Sequence, residues 1–216
     1  YGALVAMVQW DIKKLVAYSS VSHMGFVVLG ITSLTTIGTQ GAILQMLNHG
    51  ISTGALFLMV GMLYDRAHTR MIEDFGGVAS RMPIFTTFFL IVTLSSIGLP
   101  LTNGFVGEFL ILNGTFTSPW VWGRTFAGLA TLGILLGAVY MLWMVKRVFW
   151  GPENPNPKQG TAHLDTDLNA REIAALVPFV AFILWMGLHP QTFLAASEAP
   201  VRALLNHVRA FQEVRP

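Results

Sequence analysis

TLSSIGLPLTNGFVGEFLIL, residues 93–112, decides how the rest of the chain is read. It is apolar enough to lie in a bilayer, yet Gly98, Pro100, Asn103 and Gly104 interrupt any helix passing through it. Four residues past the break stands Glu108. A carboxylate at bilayer depth costs about 2.5–3.5 kcal/mol on insertion scales, so such a group faces a protein interior or a wet cavity. A broken helix also frees backbone N–H and C=O groups that lipid cannot satisfy. Protein or water must. Break and carboxylate together match the discontinuous helices of transporters, which handle ions near the middle of the membrane. A proline-kinked structural helix whose glutamate bonds a neighbour would carry the same residues, so the rest of the chain has to decide.

Of 216 residues, 53% are hydrophobic and 11% charged, where soluble domains run at about 25% charged. Several apolar runs are long enough to cross a bilayer. The expected fold class is therefore all-α, a polytopic transmembrane helical bundle with one discontinuous helix. The net charge is only +2 and the basic residues fall in loops, which reads as orientation signalling and argues against nucleic-acid binding. With no cysteine, disulfides, cysteine-ligated Fe–S clusters and a CxxCH haem attachment are excluded. The opening YGALVAMVQW reads as the last turns of a helix already under way, with neither the charged n-region nor the cleavage site of a signal peptide. The expectation is the C-terminal part of a longer polypeptide.

Spans are expected at about 15–34, 40–63, 83–113, 125–145 and 173–188, making 1–190 a transmembrane region and 191–216 a tail. Tyr18, Ser19, Ser22 and His23 form a polar stripe on the first span, because residues four apart share a helix face. Gln45, His49, Ser52 and Thr53 do the same on the second. Two stripes centred on histidine suggest walls of one hydrated interior. The segment 64–82 is a charged loop turning at Gly76-Gly77, and Gly133 and Gly137 form a small-xxx-small pattern suited to close helix packing. The Pro/Gly/Asn-rich stretch 151–170 belongs in water. The last span is expected to face lipid, and the tail carries a weak amphipathic run over 200–211.

Lysines and arginines number 2, 3 and 4 in segments 11–14, 64–82 and 146–172, against none and one in the loops between them. The positive-inside rule puts the first set on the cytoplasmic or matrix side, although Arg202, Arg209 and Arg215 of the tail then lie outside against the rule. At 1.5 Å per residue, His23 lies roughly 13 Å from the inner surface and His49 about as far from the outer one. Glu108 is expected further out than both.

Histidine, with an ordinary pKa of about 6.5, takes and gives protons near neutrality. Low-dielectric surroundings favour the neutral form of a carboxyl group and bring its exchange toward the same range. His23, His49 and Glu108 are the candidate proton relay. Gln45, Ser19, Ser22, Ser52, Thr53 and Asn103 are candidates for holding bridging waters, each of which needs two to four polar partners. A single helical histidine is more often a hydrogen-bonded structural residue; two on polar stripes beside a buried glutamate shift the balance. A bis-histidine haem site at His23 and His49 needs the same residues, but their Ser, Gln and Asn neighbours argue against it. Three or four converging metal ligands are not evident. Lys13, Lys14, Lys146 and Arg147 read as membrane-edge residues, and His68, His163, His189 and His207 fall in loops or the tail.

DIKKLVAYSSVSHMGFVVLGI, QMLNHGISTGALFLMVGMLYDRAHTR, DFGGVASRMP and LSSIGLPLTNGFVGEFLIL, in this order, resemble the antiporter-like membrane subunits of proton-pumping NADH:quinone oxidoreductase, respiratory complex I, of the kind called subunit M or chain 4. The resemblance runs from Tyr1 to about Trp150; beyond Gly151 it holds only in pattern. It implies a subunit of about fourteen transmembrane helices, of which this chain would hold the last five and the end of another. It implies no cofactor on this chain, with NADH, FMN, Fe–S clusters and quinone handled by other subunits, and as partners the other membrane-arm subunits and the bilayer. His23 of SVSHMG and His49 of LNHG would belong to a central hydrophilic axis. Glu108 of VGEF would be the terminal ionisable residue on the discontinuous helix, associated with proton exit. The family's earlier discontinuous helix, with its lysine, and its Glu–Lys pair would precede Tyr1. The implied location is a bacterial cell membrane or an organellar energy-transducing membrane. Na+/H+ antiporter complexes and membrane-bound hydrogenases share the fold and parts of these motifs, which leaves an ion-exchanging subunit as the alternative.

Overall fold

The computed structural model describes residues 1–152, 164 and 166–213, with side chains through residue 210. His163 and most of the Pro/Gly/Asn-rich loop lie outside the described residues. Every element named below is a helix: α1 (Gly2–Met7), α2 (Ile12–Thr32), α3 (Thr36–Ala67), α4 (Val78–Arg81), α5 (Pro83–Ser96), α6 (Asn103–Phe116), α7 (Gly123–Trp150), α8 (Ala170–Leu188) and α9 (Gln191–Glu213). Among the described residues the only extended pairing is an isolated bridge between Asp11 and Met71. It ties the turn before α2 to the loop after α3.

Local chemistry sets these boundaries. Asp11 caps α2 by accepting from the Lys14 amide at 3.1 Å, and Thr35 caps α3 through the Gly38 amide at 3.1 Å. Such caps satisfy amides that the first helical turn leaves free. α3 ends at His68, in the left-handed conformation with φ 51°. Pro83 opens α5, where its missing N–H costs nothing. The next amides of α5 reach outside the helix: Ile84 and Phe85 donate to the Asp167 carboxylate at 2.7 and 3.0 Å.

Among the described residues four helices are long and apolar enough to cross a membrane: α2, α3, α7 and α8. α5 and α6 have 14 residues each, about 21 Å of helix against a hydrocarbon core of about 30 Å. Neither crosses alone; together, interrupted at residues 97–102, they form the discontinuous helix. The packed centre runs between α2, α3, α5 and α7, with Leu15, Leu56, Met59, Phe85, Phe89, Tyr140 and Phe149 all fully or almost fully buried. Phe85, Phe89 and Phe149 pack as one aromatic group, with Phe89 and Phe149 centroids 4.8 Å apart. Of the glycine pair on α7, Gly133 faces the Phe26 ring closely.

Two features differ from the sequence-based reading. The helix expected at 173–188 begins at Ala170 and takes in Arg171 and Glu172, because Asn169 and Glu172 form a reciprocal capping box. Glu172 also receives both terminal nitrogens of Arg66 at 2.8 and 2.7 Å. The tail is a continuous helix through Pro200, not a short run. Its low average hydrophobicity hid it, yet Val201 and Leu205 are buried and Gln40 on α3 donates to the Leu194 carbonyl at 3.3 Å. Arg147, a membrane-edge residue in the sequence, is exposed and lies over Trp143 and Trp10 at 4.8 and 5.5 Å from their centroids.

The Arg66–Glu172 fork joins α3 to α8 with both side chains mostly shielded, at 14% and 18% exposure. Removing one partner leaves a poorly solvated charge. Arg66→Gln is expected to weaken local closure of the α8 N-terminus by about 2 kcal/mol, roughly thirtyfold faster amide exchange over its first two turns. Hydrogen exchange of the assembled protein measures this directly; unchanged protection there would make the fork dispensable.

Candidate functional site

The break between α5 and α6 positions the site. After Ser96 the chain turns through Gly98 at φ 77° and Leu101 at φ 76°, a left-handed region that glycine enters freely and leucine rarely. Short-range bonds close the turn: Leu99 N–H to Leu94 O at 3.0 Å and Thr102 N–H to Leu99 O at 3.1 Å. Residues 97–102 therefore bring little axial advance, and α6 restarts beside the last turn of α5. Gly104 stands so close to the Ser95 carbonyl that a Cβ there would overlap it, while Glu108 Oε2 lies beside Gly98. On the other side, α8 closes over the break, with Gly187 directly against the Leu101 and Thr102 backbone.

This turn corrects the expected depth of Glu108. Instead of standing further out than the histidines, its Oε1 is 3.3 Å from His23 Nδ1, and Gln45 Nε2 donates to the same oxygen at 3.4 Å. A uniform rise per residue across the break had carried it too far.

The three sequence-selected residues converge. His23 meets Glu108 through Nδ1 and Ser96 Oγ through Nε2, the latter at 3.4 Å. The His23 and His49 rings lie 5.7 Å apart, centroid to centroid, and His49 Nδ1 shares a hydrogen bond with Thr53 at 2.9 Å. Beside them is a cavity of about 10 Å³ lined by His23, Asn48, His49, Ser52, Ser96 and their neighbours, room for a single water. Both ring nitrogens of His23 are engaged and the space is water-sized, so these residues do not fit a haem.

A second set of polar groups holds the break to α3. Asn48 Nδ2 donates to Gln45 Oε1 at 3.2 Å and to the Asn103 carbonyl at 2.7 Å. Asn103 Oδ1 accepts from Ser95 at 2.5 Å and from Ser52 at 3.4 Å. Glu108 is 4% exposed and Asn103 fully buried, so this polar chain is screened from lipid, as freed backbone at membrane depth requires.

Some assignments change. Ser19 and His23 turn inward, but Tyr18 is exposed and Ser22 faces Gly2 and Tyr1, away from the cavity; residues 18 and 22 lie about 100° round the helix from 19 and 23. The sequence shows Asn48 only as a polar residue of its span, and it gives no role to Ser95 and Ser96. The serines end α5 just before Gly98, and adjacency to the break was the available signal. Tyr140 on α7 was missed too. It is 2% exposed, with its hydroxyl beside Ser19, but one tyrosine in an apolar run carries no pattern.

Fold and site together define an all-α, polytopic membrane bundle of the antiporter-like type. The model for the NADH:quinone oxidoreductase/Mrp antiporter transmembrane family matches residues 1–144, and the chain belongs to that family. It is 49% identical over 205 residues to NADH-quinone oxidoreductase subunit M of Rickettsia prowazekii, covering 95% of this chain and 40% of that protein. It is 45% identical over 207 residues to NADH-ubiquinone oxidoreductase chain 4 of Marchantia polymorpha, covering 96% of this chain and 40% of that protein. Among solved structures it superposes on a chain of respiratory complex I from Thermus thermophilus with bound NADH, with a TM-score of 0.82 and 34% identity over 94% of this chain and 42% of that one. The chain thus spans about 40% of the length of these curated relatives.

Proposed function

We propose that this chain is part of a membrane-arm subunit of NADH:quinone oxidoreductase and moves protons across the membrane, driven by electron transfer from NADH to quinone in other subunits. The observation that carries the proposal is the direct contact of Glu108 with His23 at the helix break. Family membership and the names of the two relatives support the assignment to this complex. In this reading the redox groups belong to other subunits, the partners are other membrane-arm subunits, and the membrane is a bacterial cell membrane or its organellar counterpart.

The residues suggest the path. A proton at His49 passes through a water in the adjoining cavity and the Ser96 hydroxyl to His23 Nε2, and His23 Nδ1 hands its own proton to Glu108 Oε1. The imidazole gains at one nitrogen and loses at the other, so it returns neutral with its tautomer reversed. Gln45 holds the acceptor oxygen of Glu108 in place, and Ser96 orients the opposite edge of His23.

His49→Ala in the full-length subunit of the assembled complex is expected to lower NADH-driven pumping only about two- to fivefold, since a bridging water serves nearly as well as a direct hydrogen bond. The coupled ion is tested with the unmodified complex in proteoliposomes, by forming a membrane potential in sodium-free buffer. An undiminished, protonophore-sensitive potential is expected; an absolute requirement for Na+ would refute the proton reading.

A further inference from the structure

At the membrane-edge end of α2 and α3, far from the relay, lies a groove of about 430 Å³ lined by Lys13, Phe57, Val60, Gly61, Tyr64 and Arg70. Its two ends differ in chemistry. Lys13, in the first turn of α2, is exposed and has no ion-pair or hydrogen-bond partner among the described residues. Arg70 lies over the Tyr64 ring at 5.5 Å, with its Nε 3.5 Å from Asp11 and its side chain 42% exposed. Its terminal nitrogens make no hydrogen bond among the described residues. Below these cations the wall is apolar: Gly61, then Val60 and Phe57, about 10 Å of helix beneath Tyr64. A Cβ on Gly61 would meet nothing within 4 Å, so this glycine leaves the groove open without any backbone contact demanding it.

We propose that this groove binds an anionic phospholipid, with its phosphate between Lys13 and Arg70 and one acyl chain along Gly61, Val60 and Phe57. Charge complementarity selects this occupant. Two cations face one acidic group, Asp11, which leaves one positive charge to be met at the headgroup level. Basic residues at the end of a transmembrane groove bind such headgroups, each contributing about 1 kcal/mol. Tyr64, with an apolar ring and a polar tip, suits the boundary between headgroup and chain. A neutral lipid would leave the charge unmatched, and a free anion would leave the apolar wall unused.

The test uses the full-length subunit in its assembled complex, in nanodiscs of phosphatidylcholine. A minor fraction of the lipid is a phosphatidylglycerol probe with a photoactivatable diazirine along one acyl chain. Labelling is expected on the α3 peptide containing Phe57 to Tyr64, with the matched phosphatidylcholine probe giving little. Lys13→Gln should reduce labelling about fivefold, the weight of one basic residue at an anionic headgroup. Gly61→Leu should reduce it at least as much by filling the groove with all charges kept, and leucine also favours the helix. Lys13→Gln keeps the test decisive should Gly61→Leu fail to assemble. Equal labelling by both probes, no response to either variant, displacement by excess inorganic phosphate, or cross-links from these residues to protein instead of lipid would each overturn the proposal.

Discussion

Glu108→Gln in the full-length subunit is expected to cut NADH-driven membrane-potential formation by about tenfold or more, the scale on which losing a positioned proton-transferring group is felt. The substitution keeps the volume, and an amide oxygen can still accept from Gln45. What it removes is the carboxylate that takes the proton of His23 Nδ1, 3.3 Å away, and can release it again. Turnover and potential are to be measured in the same proteoliposomes, after assembly has been checked. Loss of both means that proton transfer at Glu108 is coupled to electron flow. Retention of both would make Glu108 a structural buried carboxyl and end the proposed path.

The second large effect concerns backbone. Gly104→Ala places a methyl group on the Ser95 carbonyl. Neither side can retreat easily, because Ser95 is bonded to Ser52 and Asn103, and Asn103 to Asn48. Overpacking of this kind costs about 1–3 kcal/mol, and here it falls where two half-helices must stay in register. The expectation is poor recovery of assembled complex on native gels and a lowered thermal midpoint. Gly128→Ala, where the added carbon meets nothing within 4 Å, should leave both unchanged. Normal assembly of Gly104→Ala would mean that the break is pliable.

The break itself was legible because Gly98, Pro100 and Gly104 punctuate an apolar run, and hydropathy shows such interruptions directly. The histidines were legible through polar spacing on α2 and α3. The meeting of His23 with Glu108 was not, since it depends on how far six irregular residues travel, and composition carries no such length. Asn48 was seen as polar but not as a clamp; its role needs the Asn103 carbonyl, 55 residues away. Of α9 only the run over 200–211 was legible, for a different reason. An amphipathic helix lying against α3 has no long apolar run, and Pro200 in its interior reads as a stop.

The position of α8 against the break bears on how the membrane inserts this protein. During synthesis, α2 and α3 leave the ribosome before α5 and α6 and can receive them as they arrive. The Leu101 and Thr102 backbone, however, is covered by Gly187, translated more than eighty residues later. Until then these peptide groups face whatever the insertion machinery offers, an aqueous vestibule or a chaperone surface, but not acyl chains. The discontinuous crossing therefore matures late in biogenesis, and a ribosome stalled within the loop before α8 would leave a bundle whose ion-handling centre is still unsealed.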